Sequence, residues 1–140
     1  MGGCAARLFP GRALLGRAVG RPTAGTYVIQ AAIAGLHLQQ PCDWHQIAAL
    51  YGTLAQRTGS PVVELNRAVA IAELDGPDAG LALLGTLTLD DYRYYHSTRA
   101  DLLRRAGRKG DARAAYARAL ELAETDPERQ FLARRLEELA

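Results

Sequence analysis

An internal repeat constrains this chain more than any other feature of its sequence. Asn66–Ala68 recurs as Thr98–Ala100, 32 residues later, and Asp78–Leu81 recurs in altered form as Asp111–Ala114, 33 residues later. A period near 33 is typical of paired helices that stack in an array. Because one such hairpin cannot bury its apolar face alone, each hairpin stacks on the next, and the array offers its surfaces to other molecules. The repeat therefore predicts binding and indicates no catalytic chemistry.

Composition favours a single helical domain. The 140 residues are 49% apolar and 23% charged, which is ordinary for a globular chain, and few of them are β-branched. No segment shows the alternation of polar and apolar residues that a half-buried strand requires. We predict an all-α fold in which antiparallel helical hairpins stack as a short right-handed solenoid of about seven helices. This single domain spans residues 22–140 and follows an Arg-rich segment, residues 1–21, that is partly helical or loose.

Capping residues divide the chain into helices. Asp43 and Gln46 have the form of a capping box, in which the Asp side chain accepts an early backbone N–H. Ser60 is a favourable N-cap, and a proline follows it at the first helical position. Turns are predicted at 88–91 and 107–110. The predicted helices lie at about 11–19, 27–39, 44–58, 61–75, 78–87, 92–106, 111–123 and 126–139.

Charge is distributed unevenly along the chain. Residues 1–42 hold four arginines and no acid, whereas residues 43–140 hold 13 basic and 15 acidic residues, a net charge of −2. A body of mixed charge has no continuous basic face with which to neutralise phosphates. We therefore predict no direct nucleic-acid binding by this chain.

The cysteines and the uncharged stretch before the repeat bear on location. Cys4 and Cys42 are the two cysteines, and the chain needs no disulfide between them, which fits a reducing cytoplasm. Residues 22–42 lack charge and are long enough to cross a bilayer, but polar residues interrupt them. We interpret the stretch as a buried helix with polar ends and predict a cytoplasmic protein without a membrane span.

The repeat units resemble tetratricopeptide hairpins in their small and aromatic residues. In the later unit, Ala112 and Ala119 let the second helix approach the first, and Tyr116 fills the gap beside them. Ala100 is the small residue on the partner helix. The corresponding residues of the earlier unit are Ala68, Ala79 and Leu83.

A longer ordered set of strings carries a more specific resemblance. The set comprises Gly11–Val19, Tyr27–Ala34, His37, Asp43–Trp44, Ile47, Leu50–Tyr51, Ser60–Ala70, Asp75–Pro77, Gly80–Leu81, Tyr95–His96, Arg99–Ala100, Leu102–Leu103 and Glu128–Leu132. Together these strings resemble the C-terminal extension of a bacterial subgroup of extracytoplasmic-function (ECF) RNA polymerase sigma factors. The resemblance implies a helical, tetratricopeptide-like appendage that follows the two sigma regions and governs their activity through intramolecular or partner contacts.

Two functions follow from these patterns. The first is a non-enzymatic regulatory and protein-interaction domain whose partner is the sigma regions or RNA polymerase. The alternative is a stand-alone helical-repeat adaptor or scaffold, monomeric or dimeric, without a link to transcription. No segment here has the form of a helix-turn-helix with a basic recognition helix, so we do not predict promoter reading.

Residues capable of chemistry have simpler interpretations. Cys42 and His45, with His37 upstream, supply three zinc ligands at most, and their spacing matches no zinc motif. His96 stands beside two tyrosines, and no recognisable nucleophile motif surrounds it. This favours a histidine whose polar end packs within the hairpin over a catalytic base. We predict no catalytic residue, no metal and no cofactor.

The candidate partner-binding residues are polar positions on or near the repeat, namely Asn66, Arg67, His96, Arg99 and Arg129. An arginine before the inward alanine of each unit has two interpretations: it pairs with a nearby carboxylate, or it lines a groove that grips an acidic or C-terminal peptide group. The candidate carboxylates are Glu64, Glu73 and Asp101. On the last helix we expect the charged residues to lie on the solvent-exposed face. The opposite, buried face carries the apolar residues Phe131, Leu132, Leu136 and Leu139.

Overall fold

A computed structural model describes residues 28–33 and 43–140, and every regular element in these two ranges is helical. The predicted all-α fold of stacked helices is confirmed. A helical segment covers 28–33, and six helices follow within 43–140. They are α1 (Trp44–Thr58), α2 (Pro61–Asp75), α3 (Pro77–Leu84), α4 (Arg93–Arg105), α5 (Lys109–Leu122) and α6 (Asp126–Glu138). The predicted helix at 11–19, both cysteines and His37 lie outside the described residues.

Side-chain caps begin the helices where the sequence predicts them. The carboxylate of Asp43 accepts the backbone N–H of Gln46 at 3.2 Å at the start of α1. At the start of α6, the Thr125 hydroxyl accepts the backbone N–H of Glu128 at 3.3 Å, and the carboxylate of Glu128 accepts the backbone N–H of Glu124 at 3.2 Å. These bonds satisfy backbone donors that have no partner inside the helix.

Two predicted helix boundaries are wrong. α3 ends at Leu84, three residues early, and the Thr86 hydroxyl donates to the carbonyl of Leu83 at 2.7 Å just after its end. α5 begins at Lys109 instead of residue 111, because the turn before it is shorter than predicted. Gly107 adopts a positive φ of 81°, and the N–H of Arg108 donates to a carbonyl of the last turn of α4, so residues 106–108 reverse the chain.

The repeat keeps a spacing of 32 throughout. Pro61 and Arg93 begin α2 and α4, 32 residues apart, and Pro77 and Lys109 begin α3 and α5 at the same spacing. The spacing of 33 in the second half is therefore wrong, because it aligned identical letters instead of equivalent buried positions. The matched buried pairs at a spacing of 32 are Asn66 and Thr98, Ala68 and Ala100, Gly80 and Ala112, and Leu84 and Tyr116.

One consequence concerns the small residues of the earlier unit. Gly80 and Leu84 take the inward positions of α3, and Ala79 and Leu83, which were predicted there, are half-buried. A Cβ at Gly80 would lie 2.8 Å from the Cβ of Ala72 and 3.0 Å from a methyl carbon of Leu102. Glycine therefore lets α3 approach α2 and α4 more closely than alanine allows.

The helices share one stacked core. Each of the six helices packs against the next along the chain, and α2 also contacts α4. Ala100, Ala112 and Tyr116 are almost fully buried between α4 and α5, as the sequence predicts. At the far end, the guanidinium of Arg113 donates two hydrogen bonds, of 3.2 and 3.0 Å, to the carbonyl of Leu139 and thereby joins α5 to the end of α6. No helix within the described ranges is long and apolar enough to cross a membrane.

Candidate docking groove

The predicted residues of the earlier unit have structural partners. Asn66 is buried, with 5% of its surface exposed. Arg67 forms an ion pair with Glu64, with an N–O distance of 3.1 Å, and its side chain lies over Gly52 of α1. The two residues of this ion pair line a shallow groove of about 420 Å³ between α1 and α2. Arg67 thus pairs with a carboxylate and also lines a groove, as both interpretations of it require.

The predicted residues of the later helices do not converge on one site. His96 donates from Nε2 to the backbone carbonyl of Asp90 at 2.6 Å, because that oxygen only accepts. Arg129 lies 2.8 Å from Asp126 and also donates to a carbonyl at the end of α5 at 3.3 Å. Arg99 is half-buried, and its side chain makes no ion pair or hydrogen bond with any other described residue.

The other two carboxylates proposed as partners pair elsewhere. Asp101 lies 2.6 Å from Arg104 and 3.8 Å from Arg105, and Glu73 lies 3.3 Å from Arg105. The prediction that Asp101 or Glu73 pairs with Arg67 or Arg99 is therefore wrong. Helical geometry explains this outcome for Asp101, because residues three and four apart share one face of α4.

A second groove, between α4, α5 and α6, has a different character. Its volume is about 190 Å³, and the surface exposed inside it is almost entirely apolar. Tyr94 and Ser97 form one wall, Ala119 the floor, and Phe131 with Leu132 the other wall. We call this feature the α4–α6 groove. Within the described part of the chain, His96, Arg99 and Arg129 do not line it.

Two small residues leave the α4–α6 groove open. At the spacing of 32, Ser97 replaces the fully buried Leu65, and Ala119 replaces the partly buried Leu87. Both leucines help to fill the space where α2, α3 and α4 meet. A serine and an alanine are too small to fill the corresponding space one unit later.

An arginine fixes the rim of the α4–α6 groove. The guanidinium of Arg93 lies 3.0 Å from Glu124 and 3.2 Å from Glu128, and it donates to the hydroxyl of Tyr94 at 3.1 Å. It also lies 4.6 Å from the centre of the Tyr94 ring, a distance at which a cation attracts the face of an aromatic ring. These contacts hold one wall of the groove against the start of α6.

Phe131 forms the exposed wall. The sequence places it on the buried face of α6, but 49% of its surface is exposed. The guanidinium of Arg135 lies 5.2 Å from the ring centre, and Leu132 beside it is buried. The helix therefore turns its leucines into the core and leaves the phenylalanine at the edge of the groove.

The polar side chains that line the groove are bonded within the fold. The Ser97 hydroxyl donates to the carbonyl of Tyr94 at 3.2 Å within its own helix. In the residues that the structure describes, no three His, Cys, Asp or Glu side chains are grouped to hold a metal ion.

Deeper in the core, burial raises the pKa of the Tyr116 phenol above its ordinary value, while the adjacent Arg104 guanidinium acts in the opposite direction. The phenol is thus neutral at physiological pH and packs as a structural group.

Sequence reasoning missed the residues that form the groove. The sequence pattern places Phe131 in the core, and the polar residues that it singles out do not line the groove. A signal was present in the repeat, because a serine at 97 stands where the earlier unit has Leu65.

Comparisons with known proteins give one informative match. An uncharacterized protein of Rhizobium meliloti is 41% identical to this chain over 134 residues, which cover 91% of this chain and 32% of that protein. The chain therefore spans about a third of the length of this relative. No family model matches the chain, and no solved structure matches it.

Proposed function

We propose that this chain is a non-enzymatic interaction unit of a regulatory protein, of the kind found at the C-terminus of ECF sigma factors. The α4–α6 groove carries the proposal, because it is an apolar, well-defined surface lined by two aromatic rings.

The groove has the composition of a protein-docking site. Aromatic residues contribute much of the binding energy at interfaces, and here Tyr94 and Phe131 face each other across an apolar floor. Both rings are held by arginines, so the walls are ordered before a partner arrives. A preformed surface loses less conformational entropy on binding than a flexible one.

The proposed partner is a sigma region or RNA polymerase. An appendage of a sigma factor regulates the rest of the protein only through contact with it or with the polymerase, and a groove on a rigid helical stack provides that contact. Such a role places the protein in the cytoplasm. The oligomeric state, monomer or dimer, is measured directly by sedimentation.

A binding experiment with a groove-filling variant tests the proposal. The purified chain is titrated by calorimetry with core RNA polymerase and, separately, with the two sigma regions of a complete ECF member. We expect binding to one of them, weakened at least about tenfold by Ser97→Leu, which places a larger side chain in the groove. Thr53→Leu is the matched control, because Thr53 is exposed on α1 and its hydroxyl also bonds to its own helix.

Two results would contradict the proposal. The absence of binding to either partner would remove the link to transcription and favour the stand-alone adaptor. Binding that Ser97→Leu and Thr53→Leu leave equally strong would place the contact on another surface.

A further inference from the structure

We infer that the α4–α6 groove binds a basic peptide segment that carries one large apolar side chain. The inference rests on the proposed docking function and specifies the chemistry of the partner. It depends on three observations: the size of the groove, the charge around it, and the way the chain fills the corresponding space one unit earlier.

The size of the groove limits the occupant to one anchor. An apolar cavity of about 150 Å³ holds a benzene molecule, so a groove of about 190 Å³ accommodates one aromatic ring or branched aliphatic side chain. The surface exposed inside is nearly free of polar atoms. A polar or charged anchor would lose its hydration there without gaining hydrogen bonds.

The rim of the groove carries more acidic than basic groups. Arg93 and Glu128 line the groove, and ion pairs beside these residues and Ala119 add Glu124, Arg118, Asp91, Glu121, Asp126 and Arg129. This network contains five carboxylates and three arginines, a net charge of −2. Several of these carboxylates face solvent, since the side chains of Asp91, Glu124 and Asp126 are 99%, 70% and 85% exposed. An excess of exposed carboxylates attracts a cationic segment and repels an acidic one.

The arginines of this rim are already engaged. Arg93 lies between Glu124 and Glu128, and Arg118 lies 2.9 Å from Glu121 and 3.6 Å from Asp91. Each is shared by two carboxylates. An acidic peptide would have to displace these partners, whereas a basic peptide adds a cation to carboxylates that already outnumber their arginines.

The chain itself shows how a peptide segment closes such a space. Between α3 and α4, residues 85–92 leave the helix, and Leu87, Leu89 and Tyr92 from this segment pack against the core beside α2 and α4. Residues 123–125 form the corresponding connection before α6, and they are too few to do the same. A partner segment with an apolar residue supplies at the α4–α6 groove what the longer connection supplies one unit earlier.

Selection from a random peptide library displayed on phage tests the inference. The library is selected on the immobilised full chain and counter-selected on Ser97→Leu, so that only groove-dependent peptides remain. We expect these peptides to share one Leu, Ile, Phe or Trp flanked by Lys or Arg. A selected peptide is then synthesised, and its affinity is measured by calorimetry at two salt concentrations.

Variants that lack rim carboxylates show how much of the peptide affinity comes from electrostatic attraction at the rim. The double variant Asp91→Asn with Glu124→Gln is expected to weaken the peptide at least about threefold and to reduce its salt dependence. Glu137→Gln, an exposed change at the other end of α6, is the control and is expected to leave the affinity unchanged.

Each outcome decides the inference. Groove-dependent peptides that are acidic or neutral, or the absence of any groove-dependent peptide, would overturn it. Basic, groove-dependent peptides support it even if neither RNA polymerase nor the sigma regions bind, in which case only the proposed function fails. Conversely, if a sigma region binds and the double charge variant has no effect on it or on the peptide, the function stands and the inference fails.

Discussion

Two junctions of this fold are built from equivalent positions of the repeat but are filled to different extents. One lies between α2 and α4, and the other lies between α4 and α6. At the first, Leu65 is fully buried, the partly buried Leu87 packs against the same cluster, and Gly80 lets α3 come close to both neighbouring helices. At the second, Ser97 and Ala119 stand in place of the leucines, and the α4–α6 groove remains. The same helical spacing thus supports a sealed junction and an open one, and side-chain volume decides between them.

The open junction is not a weak part of the fold. Ala119 and Leu132 at the α4–α6 groove are 1% and 5% exposed, so the core continues beneath it. Arg93 and its two carboxylates tie α4 to α6 across the rim. Stability and binding are therefore separable at this junction, and the following predictions use that separation.

The largest effect is expected in the α4–α5 hairpin, because α4 belongs to both junctions. Ala100→Glu and Ala112→Glu each place a charge where no surface is exposed, and we expect a loss of more than about 3 kcal/mol of unfolding free energy. Urea denaturation followed by circular dichroism measures the loss. Ala117→Glu, on the exposed face of α5, is the control, and equal stability of all three variants would show that the hairpin is assigned incorrectly.

Exchange of the residues at the equivalent positions 65 and 97 tests whether side-chain volume distinguishes the two junctions. Leu65→Ser removes a fully buried side chain from the sealed junction, and we expect a loss of about 3–5 kcal/mol. Ser97→Leu fills the open junction with a better helix former, so unfolding free energy should change by less than about 1 kcal/mol. Effects of equal size in the two variants would mean that the junctions do not differ as described.

A smaller effect is expected at the glycine that closes the first junction. Gly80→Ala brings a methyl group within 2.9 Å of the Ala68 carbonyl, and we expect a loss of about 1–3 kcal/mol. Gly110 of α5 has no neighbour within 4 Å of an added Cβ, so Gly110→Ala should be neutral or stabilising by up to about 1 kcal/mol. A neutral Gly80→Ala would show that the helices can separate there without loss.

Phe131→Ala should affect binding more than folding. The side chain is half-exposed, so we expect a loss of less than about 1 kcal/mol in thermal or urea unfolding. Affinity for the partner, or for a selected peptide, should fall at least about tenfold. Val28→Ala, at a side chain that is 68% exposed, serves as the control and should change neither quantity.

The smallest effect is expected at Arg129. Its ion pair with Asp126 is exposed, and such pairs contribute at most about 1 kcal/mol, so Arg129→Ala should be hard to distinguish from the parent protein in unfolding. It should also leave partner affinity unchanged, because the side chain is directed to the start of α6 and the end of α5. A large loss of affinity would restore Arg129 as a binding residue.

The sequence predicts the fold well because helix starts depend on local chemistry. The side chains of Asp43, Ser60 and Thr125 each accept a hydrogen bond from the backbone N–H three residues later. Because both partners of such a cap are close in the chain, the sequence shows it directly. The end of α3 and the start of α5 depend on the hydrogen-bond geometry of the turns, which the letters do not specify. The groove depends on volumes that three helices bring together, so it emerges only when Leu65 and Ser97 are recognised as equivalent in the folded chain.

The bonds from Arg113 to the Leu139 carbonyl have a mechanical consequence. They join the beginning of α5 to the end of α6, residues that lie 26 positions apart in the sequence. They therefore oppose fraying of the last turn of α6, the helix that carries the Phe131 wall of the groove.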